Sequence, residues 1–198
     1  MQNILGKKEK FFPAKEVKTP DFSSFVSFDI ETTGLPRDSE IIEIGAVKVV
    51  NGEITDTFSE LVDPCMPIPP YISQLTGITD EMVKGKGKID EVLPRFQQFA
   101  GNKILVGHNA ISFDSKIMGY WADKYEVYIG NDVFDTLRFL RYRCEPFPNM
   151  ESKNLGCLCD YFGITAKDYH RACADAMMTA KLYFELQKKA VVKNKKSP

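Results

Sequence analysis

Two acids, Asp29 and Glu31, stand near the end of the apolar stretch FVSFDIETTGL, residues 25–35, just before Thr32-Thr33-Gly34. Phe25, Val26, Phe28 and Ile30 are strand-favouring residues, and side chains on a strand alternate between its faces. Ser27, Asp29 and Glu31 therefore share one face, and Val26, Phe28 and Ile30 the other. A half-solvated strand with a polar outer face accounts for one such acid. Two carboxylates at i and i+2, followed at once by a glycine turn, equally suit a pair of oxygen ligands for a hard divalent cation. On this stretch alone the two readings balance.

Two further segments carry acids of the same kind. In VGHNAISFD, residues 106–114, a strand ends at His108-Asn109 and a helix opens near Phe113-Asp114. Loops just past the C-terminal end of a sheet strand are where α/β folds place their sites. Helix capping by Asn109 or Ser112, with Asp114 against the helix dipole, explains much of this segment too, but capping does not call for His108. In YHRACADAMMTAKLYFEL, residues 169–186, an apolar stripe of Ala172, Ala176, Thr179, Leu182, Tyr183 and Leu186 has Asp175 close beside it. A buried carboxylate is costly unless it is paired, and a metal ion is one such partner. His170 precedes Asp175 by five residues, about 140° around a helix, so it faces the same pocket only from the loop or first turn before that helix. The chain has two histidines, and each stands beside an acid in one of these segments.

Together the residues suit one chemistry. Two divalent ions about 3.5–4 Å apart stabilise both the attacking and the leaving oxygen of a phosphoryl displacement. Their four positive charges match four carboxylates, Asp29, Glu31, Asp114 and Asp175. The attacking water must lose a proton, and an imidazole that titrates near neutrality is the side chain for that task. His170 is the general-base candidate. The constellation suits phosphodiester hydrolysis without a covalent enzyme intermediate.

These residues must be positioned by a folded domain, and the composition allows one. The chain has 198 residues, 43% hydrophobic and 27% charged, which fits a single domain with a substantial core. Net charge is −1, so no global basic footprint marks a nucleic-acid binder. Local basic groups at Lys84, Lys86 and Lys88, at Arg138, Arg141 and Arg143, and at Lys188, Lys189, Lys193, Lys195 and Lys196 are most simply solvated surface. No apolar run is long enough to span a bilayer, and the N-terminal lysines have no signal-peptide core behind them. The expectation is a cytoplasmic protein without a membrane partner. Cysteines 65, 144, 157, 159 and 173 are odd in number and show no CxxC spacing, so all five are expected to be reduced and structural.

The pattern along the chain predicts strands at about 25–31, 40–50 and 53–62, the last two joined by Asn51-Gly52, a strong hairpin signal. A proline-stiffened connection, 63–70, follows. Helical spacing then covers 89–100, with Asp90 as candidate N-cap and Gly101 as stop, 113–125, 134–142, 154–162 ending at Gly163, and 172–189. A short buried strand, 103–108, lies between the first two helices. Strands first and α/β alternation afterwards imply a mixed sheet with helices on its faces.

In that order FDIETTGL, HNAISFD and HRACADA resemble the three motifs of the DnaQ-like DEDDh 3′→5′ exonucleases, nearest in texture to the proofreading exonuclease of bacterial DNA polymerase III. ISQLTGIT, residues 72–79, resembles the loop between the first two motifs. The resemblance covers about residues 22–190. It leaves 1–21 as an N-terminal arm and 191–198 as a basic C-terminal tail. It implies an α/β, ribonuclease H-like fold with a five-stranded mixed sheet, its first three strands antiparallel. It implies two Mg²⁺ or Mn²⁺ ions. Asp29 would bridge both ions, Glu31 and Asp175 would complete the first site, and Asp114 would act largely through water on the second. His170 would be the base. The sibling subgroup has Tyr four residues before the last Asp, where this chain has Arg171, so the histidine subgroup is the match.

Substrate contacts implied by the same resemblance are the backbone around Ile30 and Thr32 for the terminal 3′ end. Leu35, Leu75, Thr76 and Phe113 would wedge or stack on the last bases, and His108 and Asn109 would support the second motif or touch the strand. For Leu35, Leu75 and Phe113 taken singly, core packing is the competing explanation. The implied partners are a nucleic-acid 3′ end, single-stranded or frayed DNA foremost, and, as a candidate, a DNA polymerase. A 3′→5′ exoribonuclease and an inactive nucleic-acid- or polymerase-binding module are the alternatives. The motifs do not separate DNA from RNA, since that depends on contacts to a 2′-hydroxyl.

Overall fold

The computed structural model describes residues 15–142, 150, 152–165 and 170–195, with side chains to residue 189. Residues 1–14 of the arm, Arg143, Cys144 and Lys196 lie outside the described residues, as do the side chains of Lys193 and Lys195. The strands are β1 Glu16–Val17, β2 Phe25–Thr32, β3 Ile41–Val50, β4 Glu53–Leu61, β5 Ile104–Gly107 and β6 Val133–Asp135. The helices are α1 Pro70–Thr76, α2 Asp80–Val83, α3 Ile89–Ala100, α4 Asp114–Tyr125, α5 Thr136–Tyr142, α6 Leu155–Phe162 and α7 Ala172–Lys195.

All six strands form one mixed sheet in the order β1-β6-β5-β2-β3-β4. The first four in that order run parallel, and β2–β3 and β3–β4 are antiparallel. The expected meander of three antiparallel strands is present, and its hairpin turn has positive φ at Asn51 (53°) and Gly52 (85°), as a two-residue primed turn requires.

The count of five strands is corrected to six. The added strand, β1, has two residues, with Glu16 opposite Val133 and Val17 opposite Phe134. So short a strand carries no legible alternation. The helix expected over 134–142 starts instead at Thr136, because Val133–Asp135 is the buried strand β6. An apolar run of this length fits either period, and parallel pairing with β5 decides it. The proline-rich connection continues into α1, with Pro70 at its first position, where the missing N–H costs nothing.

Caps differ in detail. Lys88, not Asp90, occupies the N-cap of α3, and Asp90 and Glu91 lie in its first turn, where carboxylates suit the dipole. Phe113 occupies the N-cap of α4 with no side-chain cap, so neither Asn109 nor Ser112 caps it. Asn154 does cap α6, accepting from the Cys157 N–H at 2.8 Å, and Gly163 closes it in the left-handed region.

The alternation of β2 divides the core into two layers. Val26, Phe28 and Ile30 pack with Phe96 of α3 and Trp121 of α4. Phe25 packs on the opposite face with Phe134, Leu158 of α6, and Tyr183 and Leu186 of α7. A smaller cluster of Ile42, Ile68, Ile72, Ile78 and Val83 seats α1 and α2. Cys65, Cys157, Cys159 and Cys173 are free thiols. Among the described residues no helix is long and apolar enough to cross a membrane.

Candidate active site

Asp29 and Glu31 project from β2 toward the face that α7 covers, and Asp175 comes down from the first turn of α7. One carboxylate oxygen from each lies within 4.8 Å of the others. So close an approach of helix to sheet depends on Gly45. It is the cross-strand partner of Asp29 on β3, and a Cβ there would lie 2.1 Å from the backbone of Ala172 and of Cys173. With no side chain in the way, the first turn of α7 rests directly on the sheet beside Asp29.

Asp114 is 3% exposed at the N-terminus of α4. Its Oδ1 accepts from the Ile30 N–H at 3.3 Å, next to Asp29 in the chain, and its charge adds to that of Asp29, although it is not among the three acids that meet within 4.8 Å. The electrostatics of the cluster are unfavourable without a counter-charge. Burial holds the Asp29 carboxyl well above its ordinary value, and Asp114, Glu31, Asp175 and Glu43 raise it further by repulsion. Burial, then Asp175, Glu43 and Asp114, push Glu31 up to about 8, against the pull of Arg171. Burial lifts Asp114 to about 7, opposed by hydrogen bonds from its own N–H and that of Ile30. Asp175 rises to about 6 by burial, opposed by the charge and the backbone N–H of His170. Asp175 Oδ1 is buried with no hydrogen-bond partner among the described residues. Hard oxygen donors gathered at one point, mutually repelling and with an orphaned buried oxygen, fit a divalent cation, which favours their ionised forms.

The two histidines separate by environment. His108 has Nδ1 2.9 Å from Thr136 Oγ1 and donates from Nε2 to the Lys153 carbonyl at 3.0 Å. Burial lowers its pKa. His170 is exposed, in the left-handed region with φ 62°, immediately before α7. This exposed residue adjoins the acids through Asp175, on which both its charge and its backbone N–H act.

The model of the exonuclease family described as RNase_T matches residues 26–183. The chain belongs to the exonuclease family. Its relatives include DNA polymerase III PolC-type of Caldanaerobacter subterraneus subsp. tengcongensis, 42% identical over 166 residues, which are 83% of this chain and 12% of that protein. The same-named protein of Clostridium perfringens is 43% identical over 159 residues, 80% of this chain and 11% of that one. The chain therefore spans about an eighth of the length of these relatives. Exonuclease X in complex with 5′ overhanging duplex DNA superposes with a TM-score of 0.68 at 27% identity, covering 82% of this chain and 90% of that one. E. coli Exonuclease I in complex with a dT13 oligonucleotide gives a TM-score of 0.73 at 19% identity, with 88% and 43% covered, a likeness of fold.

In this exonuclease domain the residues expected to meet substrate divide into two groups. Leu35 and Leu75 are 82% and 52% exposed and stand free at the surface. Phe113 is half-buried against the core beside α4. The others are occupied within the fold. Ile30 gives its N–H to Asp114. Thr32 Oγ1 donates to the Gly34 carbonyl at 2.6 Å. Thr76 is 4% exposed, donating to the Ile72 carbonyl and accepting from the Ile78 N–H. Asn109, at φ 64°, gives its N–H to Asp135 Oδ1 at 3.1 Å.

Sequence reasoning misses the residues that support the site. Asp135, 2% exposed, accepts from the N–H groups of Asn109, Ile111 and Arg138 and so fixes the loop that leads to Asp114. Glu43, 1% exposed, stands opposite Glu31 across the β2–β3 ladder. Its signal was present in EIIEIGAVKVV, an acid in the middle of an apolar strand, since a buried carboxylate demands partners.

Proposed function

We propose that this domain removes nucleotides one at a time from the 3′ end of DNA, releasing 5′-mononucleotides, as the proofreading or repair exonuclease of a DNA polymerase. The observation that carries the reading is the convergence of Asp29, Glu31 and Asp175 within 4.8 Å, with an exposed His170 acting on Asp175. Family membership and relatives named as DNA polymerases support it.

Asp29, Glu31 and Asp175 would hold one divalent ion, and Asp29 with Asp114 a second, Mg²⁺ or Mn²⁺. When bound, such ions offset the charge that builds on the phosphate oxygens during in-line displacement. The chain's own residues supply the rest. His170, open to solvent at the rim, accepts the proton of the attacking water. The raised pKa values of Glu31 and Asp175 mark them as groups that give up protons when a cation arrives. Leu35 and Leu75 offer exposed apolar surface to the terminal bases, since every base has a π face.

The test is digestion of matched DNA and RNA oligonucleotides, paired and mismatched at the 3′ end, with Mg²⁺ or Mn²⁺ and with chelator. We expect metal-dependent shortening of DNA from the 3′ end, fastest when that end is unpaired. His170→Ala should lose nearly all turnover while calorimetry still shows metal uptake. Degradation of RNA alone would overturn the DNA assignment, and no loss of either strand would overturn the nuclease reading.

A further inference from the structure

Glu43 lies outside the four acids and the histidine, yet its carboxylate makes three charge-assisted hydrogen bonds at the start of α7. Arg171 donates from Nη2 to Oε1 at 2.8 Å and from Nε to Oε2 at 3.1 Å, a forked pairing. The Ala172 N–H donates to Oε2 at 3.0 Å. Ala172 opens α7, so Glu43 satisfies one of the N–H groups that a helix leaves without an internal partner. Its negative charge also faces the positive end of the helix dipole.

The three residues that Glu43 holds or borders are consecutive: His170, Arg171 and Ala172. Asp175 follows within the same turn, its N–H bonded to the Arg171 carbonyl at 3.0 Å. Two strand positions away, Gly45 lets the same turn settle on the sheet. Glu43 and Gly45 share a face of β3, as do their partners Glu31 and Asp29 on β2. One strand thus fixes both the height of α7, through the glycine, and its angular setting, through the carboxylate. His170 keeps a left-handed φ of 62°, a conformation uncommon for such a residue that surrounding contacts must hold.

We propose that Glu43 is a positioning residue for the reaction: through Arg171 and the Ala172 N–H it sets His170 over the acid cluster and Asp175 within it. The proposal deepens the exonuclease reading above and rests on it for the reaction. The placement of His170 can be read without any reaction.

The full chain is to be tested as Glu43→Gln and as Arg171→Lys. The glutamine keeps the shape but loses the charge and one of the paired acceptors. The lysine keeps the charge but loses the fork, and Arg171, at 37% side-chain exposure, is the more tolerant site for folding. Because the chain has two histidines, their imidazole NMR signals can be assigned with a single His170→Ala reference. In either variant we expect the His170 signal to move while that of His108 stays in place. We expect kcat on a DNA oligonucleotide to fall about a hundredfold for Glu43→Gln, the scale of a displacement near 1 Å, and less for Arg171→Lys, with KM nearly unchanged. An unmoved His170 signal in a folded variant overturns the proposal, as does wild-type kcat. Movement of both histidine signals together also overturns it, since that marks general loosening. If the wild-type chain digests no strand, the exonuclease reading fails, and the two histidine signals still decide whether Glu43 sets His170.

Discussion

At the scale of single residues, the acid cluster is a store of repulsion. Asp175, Asp114 and Glu31 have their pKa values pushed up to about 6, about 7 and about 8. In the unfolded chain such groups titrate near 4. Between those limits the folded state holds more protons than the unfolded one, so stability falls as pH rises. The contribution is fully present below the unfolded values and is lost as pH passes through the folded ones. In chelator we therefore expect the Tm to fall steadily from about pH 5 to about pH 8. Saturating Mg²⁺ or Mn²⁺ should restore much of the loss at the alkaline end, because a ligand that binds only the folded state stabilises it. Calorimetric scans across that range check both arms; a Tm that does not fall in chelator would contradict the raised values. His108 and His170 look alike in the sequence, each beside an acid. Only their partners separate a ring engaged at both nitrogens from one left open to solvent.

At the scale of elements, the site is a matter of how closely α7 sits on β3. Gly45→Ala would place a methyl carbon 2.1 Å from the helix backbone, and backbone cannot rotate away as a side chain does. Overpacking of this kind costs at least the upper part of the usual ~1–3 kcal/mol. We expect a lower Tm together with loss of tight Mn²⁺ uptake, measured by calorimetry, because Asp175 would lift away from Asp29 and Glu31. A variant with unchanged metal affinity would show that the contact does not set the spacing. The elements themselves were largely legible: β2, β3, β4, α3, α6 and the buried stripe of α7 follow from period and punctuation. The clustering acids Asp29, Glu31 and Asp175 were legible for the same reason, since charge set into apolar segments stands out. Glu43 carried the same signal, but its partners and the role of Gly45 were not legible, because both depend on what lies across the sheet. A glycine inside a strand says that something comes near, not that it is the helix 127 residues further on. Asp135 was hidden in the same way, by the reading of β6 as the start of a helix.

At the scale of the whole molecule, the sheet orders the chain so that distant segments meet at one end. β5 lies beside β2, which brings the loop after β5, and so Asp114, against Ile30. The antiparallel β3 on the other side of β2 carries the support for α7. This layout puts every residue of the site after residue 22, which would suggest that the preceding segment is dispensable. The two residues of β1 argue otherwise. They pair with β6, and the Val133 N–H donates to the Lys15 carbonyl at 2.8 Å. Without them, β6 becomes the border of the sheet, apolar and with its outward amides and carbonyls unmet, a template for another chain. A chain begun at residue 22 should keep its turnover per active site yet elute from a sizing column as concentration-dependent oligomers, where the longer chain elutes as one species. The shortest strand of the fold would then act less as a part of the catalyst than as a guard on its solubility.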